Sequence, residues 1–147
     1  MTDGLLIREA SDRDAREIAR IEKASFPTPW TEEMVLSEMK EPLASFSVGV
    51  YQDIIVGYYG FLHILDELHI LNVAVDPSYR GRKIGSALIA HLIEQGRAFS
   101  ARAATLEVRE SNAPAVALYE KFGFVCAGIR PHYYTDKENA LIYWLEL

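Results

Sequence analysis

Residues 79–87 read Tyr-Arg-Gly-Arg-Lys-Ile-Gly-Ser-Ala, a basic, glycine-containing segment between an apolar run ending at Val75 and an apolar stripe at Ile84, Leu88 and Leu92. A strand that feeds a helix through such a loop presents unpaired N–H groups and the positive end of a helix dipole, and phosphate is the ligand that suits them. Gly81 and Gly85 permit close backbone approach, while Arg80, Arg82 and Lys83 add charge. A solvated turn accounts for the same residues. The segment contains neither G-x-x-x-x-G-K-[ST] nor G-x-G-x-x-G. His63, His69, His91 and His132 lack metal-ligand spacing, so no metal is expected. Cys126, the only cysteine, lies in an apolar run and reads as a small core residue rather than a nucleophile. No Ser/His/Asp arrangement has motif support.

The elements around this loop follow from local signals. Leu5 to Ile7 opens a strand. Ser11 reads as the N-cap of a helix carrying Ala15, Ile18, Ala19 and Glu22 at helical spacing. Two prolines in Phe26-Pro27-Thr28-Pro29-Trp30 end that helix, and Thr31 caps a second with Val35, Leu36 and Met39 apolar. Strands are predicted over 45–50, 54–65 and 68–75, with a hairpin turn at Gln52-Asp53. A helix is predicted from Gly81 to about Phe99, a strand over 104–108, a helix from Asn112 to Phe122 closed by Gly123, and strands over 124–128 and 141–147. The order is βααβββαβαββ. It predicts a single α/β (α+β) domain over 1–147, in which residues 68–108 make one right-handed crossover within a largely antiparallel sheet.

The 80–85 segment resembles the acetyl-CoA signature [Q/R]-x-x-G-x-[G/A] of the GNAT superfamily of N-acetyltransferases. Arg80 and Gly85 occupy its first and last specified positions, and Lys83 stands where the middle glycine is expected. A lysine with helical dihedrals there would still aim its N–H at a ligand. Residues 24–30, Ala-Ser-Phe-Pro-Thr-Pro-Trp, resemble the interhelical loop of the RimI-like group of bacterial ribosomal-protein-alanine N-acetyltransferases. Residues 106–115 and 117–124 are similar to the same group, as is Arg130-Pro131-His132-Tyr133-Tyr134. The resemblance implies the GNAT fold, a twisted, mixed, mostly antiparallel sheet of six to seven strands flanked by about four helices. It also implies acetyl-CoA as co-substrate, used by direct transfer in a ternary complex.

On this resemblance the strands at 68–75 and 104–108 splay apart and admit the pantetheine arm. Cofactor contacts fall to Val73, Ala74 and Val75, to Arg80, Gly81, Arg82, Lys83, Ile84, Gly85 and Ser86, and to Asn112 and Tyr119. A backbone N–H near Val73 would polarise the thioester oxygen. Glu107 corresponds to the general base; an exposed strand carboxylate paired with Arg109 or Arg130 is the plain alternative. Tyr119 corresponds to the general acid for the departing thiolate, or else packs beside Leu118 and Phe122. Asn112 would contact pantetheine, cap its helix, or do both. Phe26, Trp30, Tyr133 and Tyr134 would wall the acceptor groove, and Glu67 or Asp66 would hold a cationic N-terminus; hairpin aromatics and a solvated turn are the alternatives.

Ionisation bears on the acceptor. An α-amino group with pKa about 7.7–8.0 is about a quarter neutral at pH 7.4, whereas a lysine near 10.4 is about 0.1% neutral. A modest carboxylate base therefore suits a protein N-terminus, an alanine of a ribosomal protein in the resemblance. A small-amine acetyltransferase and a non-catalytic acyl-CoA-binding regulatory module are the other readings.

Half of the 147 residues are hydrophobic and 24% charged, as in globular domains. Net charge is −6, with 13 acidic and 6 basic residues up to Val75 and 8 acidic and 9 basic after it. That balance argues against nucleic acid as a direct partner. No apolar run approaches a membrane span, and the acidic start lacks the pattern of a secretion signal. A cytoplasmic monomer or weak dimer is expected.

Overall fold

The computed structural model describes residues 4–147; the part of the signal-peptide reading that rests on residues 1–3 lies outside them. The chain runs β1 (Leu5–Glu9), α1 (Ala15–Ser25), α2 (Glu32–Met39), β2 (Ala44–Tyr51), β3 (Ile54–Ile64), β4 (Glu67–Val75), α3 (Ile84–Ala98), β5 (Ala103–Arg109), α4 (Ala113–Lys121), β6 (Val125–Arg130) and β7 (Ala140–Glu146). The strands form one seven-stranded sheet in the order β1-β2-β3-β4-β5-β7-β6. Every neighbouring pair is antiparallel except β4–β5, which α3 joins as a parallel crossover. This is the mixed α/β architecture expected, with seven strands and four α-helices among the described residues.

Burial of apolar side chains against both faces holds the layers together. On one face α3 and α4 cover Tyr59, Phe61, Leu68, Leu106 and Tyr143 with Leu88, Leu92 and Tyr119. On the other, Ile18 and Ile21 of α1 and Val35 of α2 pack on Val48 and Tyr58. Caps are placed where the side chains allow. Thr31 Oγ1 accepts from Met34 N at 3.2 Å and Asn112 Oδ1 from Ala115 N at 3.3 Å. Gln52 and Asp53 both have positive φ, +50° and +64°, which matches the twist of a tight hairpin.

Two local features shape the centre of the sheet. First, β4 and β5 pair only at Glu67–Ala103, Leu68–Ala104 and His69–Thr105. Beyond those residues the two strands diverge. Second, β4 carries a bulge: Gly60 faces Asn72 while Phe61 faces Ile70, so Leu71 is an extra residue. The bulge reverses the side-chain alternation. Leu68 and Ile70 pack under α3, whereas Asn72 and Ala74 turn to the α1 face.

The start of α3 departs from expectation. The helix begins at Ile84, not Gly81, because Gly81 (φ +80°) and Lys83 (φ +62°) occupy the left-handed region and no helix propagates through them. Lys83 therefore does not take the helical dihedrals expected of it. It is the N-cap of α3, held in the backbone region that glycine enters most easily.

Candidate active site

Two adjoining cavities lie where β4 and β5 diverge. The larger, about 570 Å³, runs from the loop before α3 along residues 73–75 to the start of α4. The smaller, about 300 Å³, lies between the α1–α2 loop, the diverged strands and the β6–β7 loop. Phe26, Val73, Arg109, Asn112, Ala115 and Tyr119 line both, so the cavities meet at these side chains.

The larger cavity has features that suit an extended anionic ligand. Ala87 N closes the first turn of α3 onto Lys83 O at 3.1 Å. The N–H groups of Ile84, Gly85 and Ser86 precede that bond and have no acceptor within the helix. Arg80, Gly81, Lys83, Ile84, Gly85 and Ser86 line this end. A Cβ on Gly85 would come within 3.1 Å of Leu118, so glycine lets α3 close on α4 here. Asp76 shapes the preceding turn by accepting from Ser78 N at 2.9 Å and Arg20 Nη1 at 2.9 Å. Burial pushes its carboxyl up, but those two donors together hold it below its usual value. Further along, residues 70–75 bond to β3 on one side only, leaving an open strand edge in the cleft.

The smaller cavity is walled by Phe26, Trp30, Tyr133 and Tyr134, with Glu107 and Tyr119 facing it. Glu107 is partly exposed and lies 3.8 Å from Arg130 Nε. Tyr119 is 7% exposed, and burial pushes its phenol above the usual tyrosine value. Its hydroxyl therefore stays protonated at physiological pH. Its ring packs edge-on against Phe124, so the core function weighed for it and a place at the cavity coexist.

Arg109 organises the wall. Its Nη1 bonds Asp136 at 2.8 Å and Glu138 at 2.9 Å, its Nη2 bonds Thr28 Oγ1 at 3.0 Å, and its guanidinium stacks 4.1 Å over the Tyr134 ring. One side chain thus ties β5 to both loops that border the cavity. Burial pushes the Tyr134 hydroxyl up to about 12, against the opposing pull of Arg109.

Most residues singled out from the sequence meet here, with two exceptions. Arg82 lies outside both cavities and its guanidinium sits 5.2 Å over the Tyr79 ring. Glu67 lies at the end where β4 and β5 are paired; it bonds His69 Nε2 at 3.1 Å and lines neither cavity. Glu67 is therefore not among the residues gathered at the cavity. Sequence reasoning missed Arg109 as an organiser, and it missed Glu22 and Asn72, which line the smaller cavity. A glutamate within the apolar stripe of α1 is the signal that points to Glu22.

Residues 15–124 match the model of the acetyltransferase (GNAT) family. The [ribosomal protein bS18]-alanine N-acetyltransferase of Escherichia coli (strain K12) is 38% identical over 125 residues, covering 83% of this chain and 84% of that protein. A Bacillus subtilis (strain 168) protein that bears the same name provisionally is 38% identical over 143 residues, covering 96% and 95%. Among solved structures, Ard1 from Thermoplasma volcanium superposes with a TM-score of 0.93 at 32% identity, covering 98% of each chain.

Proposed function

The chain belongs to the GNAT family of acetyltransferases and is an acetyl-CoA-dependent N-acetyltransferase, and from that premise we propose that its acceptor is the N-terminal amine of a protein, an alanine of a small-subunit ribosomal protein first. The observation that carries this reading is the meeting of a cleft lined by Arg80, Lys83 and the N-terminus of α3 with a small aromatic-walled cavity at Val73, Asn112 and Tyr119. An acetyl-CoA whose phosphates sit at the N-terminus of α3 and whose arm follows residues 73–75 brings its thioester to that junction. A cavity of about 300 Å³ takes a small first side chain, and its aromatic walls suit an extended peptide entering from the loops.

In this reading the free edge of β4 receives the pantetheine arm as an added strand, and a peptide N–H near Val73 polarises the carbonyl. Glu107, exposed enough to exchange protons with water, takes the proton from the amine. Tyr119 gives its proton to the departing sulfur. Burial makes the phenol a weak acid, so complete transfer occurs only as the thiol leaves. Asn112 contributes to both the α4 cap and the junction.

The test is thiol release from acetyl-CoA with short peptides beginning in Ala, Ser or Met, beside free lysine and spermidine. Selective turnover of a peptide with a free N-terminal alanine, lost when that amine is blocked, is the expected result. Turnover of the small amines alone would overturn the peptide reading.

A further inference from the structure

Glu22 is the most enclosed charged side chain near the acceptor cavity. It projects from α1, is 1% exposed, and is nevertheless among the residues that line the cavity. Oε1 accepts from Trp30 N at 3.0 Å; Oε2 accepts from Asn72 Nδ2 at 2.9 Å and from the Tyr58 hydroxyl. All three donors are neutral. They come from the α1–α2 loop, the bulged part of β4, and β3, so the strand defect at Leu71 is what turns Asn72 toward this carboxylate. No ion pair to Glu22 occurs among the described residues. The other charges facing the cavity are otherwise engaged: Glu107 sits near Arg130, and Arg109 is matched by Asp136 and Glu138.

A buried carboxylate solvated by neutral dipoles keeps its charge poorly compensated, and a cation arriving in the adjoining cavity supplies what the protein leaves out. We propose that Glu22 is the specificity residue of the acceptor site, giving the counter-charge that selects a protonated amine over a neutral or acylated one. This rests on the amine-acceptor reading above and adds a division of labour to it. Glu22 recruits the ammonium form, and Glu107 removes its proton. Binding the ammonium does not by itself speed transfer, because the reactive species is the neutral amine. Loss of Glu22 therefore raises KM for the acceptor without lowering kcat, whereas loss of Glu107 lowers kcat.

Protonation of Glu22 removes the counter-charge, so amine affinity falls as pH falls. The titratable and charged groups facing it are Tyr58 on β3, Tyr119 on α4, Glu107 and Arg109 on β5, and Tyr133 and Tyr134 on the β6–β7 loop. Burial raises the Glu22 carboxyl, while Tyr58, Trp30 N and Asn72 oppose the rise. Removing the Tyr58 hydroxyl removes one of the donors that favour the charged form.

The experiment uses Glu22→Gln and Tyr58→Phe in the full chain. Affinities for an Ala-initiated peptide and its N-acetylated twin are measured by calorimetry with CoA present, alongside steady-state kinetics. For Glu22→Gln the expected result is a roughly tenfold rise in acceptor KM, unchanged KM for acetyl-CoA, and loss of preference for the free amine. An unaltered preference and KM would overturn the proposal. If Glu22→Gln does not fold, Tyr58→Phe carries the test: its loss of amine affinity on acidification from pH 7 should come at higher pH than in the parent. Coincident profiles would overturn it. A parent that turns over no free-amine peptide sinks the substrate reading and this proposal together. A parent that does so, with Glu22→Gln unchanged, sinks this proposal alone.

Discussion

The Arg109 guanidinium lies 4.1 Å from the centre of the Tyr134 ring while bonding Thr28 across 81 residues of sequence. One planar cation thereby fixes both loops that border the smaller cavity. Arg109→Ala is expected to lower stability by about 2–3 kcal/mol, below the full cost of breaking a buried pair because Asp136 and Glu138 can regain water. Acceptor KM should rise more than KM for acetyl-CoA. Arg109→Lys should recover little of either, since an ammonium cannot make the forked contacts and the stack together. Chemical unfolding and two-substrate kinetics read both effects.

The same cluster sets an acid limit. Asp136 is held below its usual value by the Glu138 N–H and by Arg109, and Glu138 by Ser111 and by Arg109. Groups depressed on folding contribute stability above their unfolded pKa and lose it as pH falls through the folded value. The loops should therefore loosen below about pH 4, the ordinary carboxylate range. Asp136→Asn is expected to flatten the stability profile in that window, as followed by thermal melts.

Lys83 offers a case where a substitution helps the fold. Replacing it with glycine relieves a left-handed residue and should raise stability by up to about 1 kcal/mol, whereas Lys83→Ala keeps the strain and gains nothing. CoA affinity should change by less than about tenfold in Lys83→Gly. A larger loss would make the ammonium a main phosphate ligand.

For the chemical step, Glu107→Gln and Tyr119→Phe are each expected to lower kcat about 10²-fold or more while leaving CoA affinity nearly unchanged. Equilibrium titration with CoA and single-turnover rates separate the two quantities. Unaltered kcat in Tyr119→Phe would leave its packing on Phe124 as its sole function.

What the sequence reveals is what is local. Ile84, Leu88 and Leu92 mark α3, and Asn112 and Gly123 bracket α4, because each signal lies within a few residues of the element it defines. Arg109 stays hidden as a site residue since Thr28, its partner, comes from another element; Glu22 is marked by its place in an apolar stripe, but its partner Asn72 is not. The Leu71 bulge is equally hidden: it exists only relative to Gly60 and Phe61 across the ladder. Glu67 lies apart from the cavities for the converse reason. It is acidic and near the right strand, but at the end where the strands stay paired.

The brief pairing of β4 with β5 has a consequence for the enzyme's survival. Residues 70–75 form a seam whose amides on the side away from β3 should exchange with solvent until a ligand arm closes it. A ligand that needs the folded seam binds the native chain alone, adding about 2.7 kcal/mol when its concentration is a hundred times Kd. Half-life and protease resistance would then rise and fall with co-substrate supply, so a starved cell would hold less of this enzyme as well as a slower one.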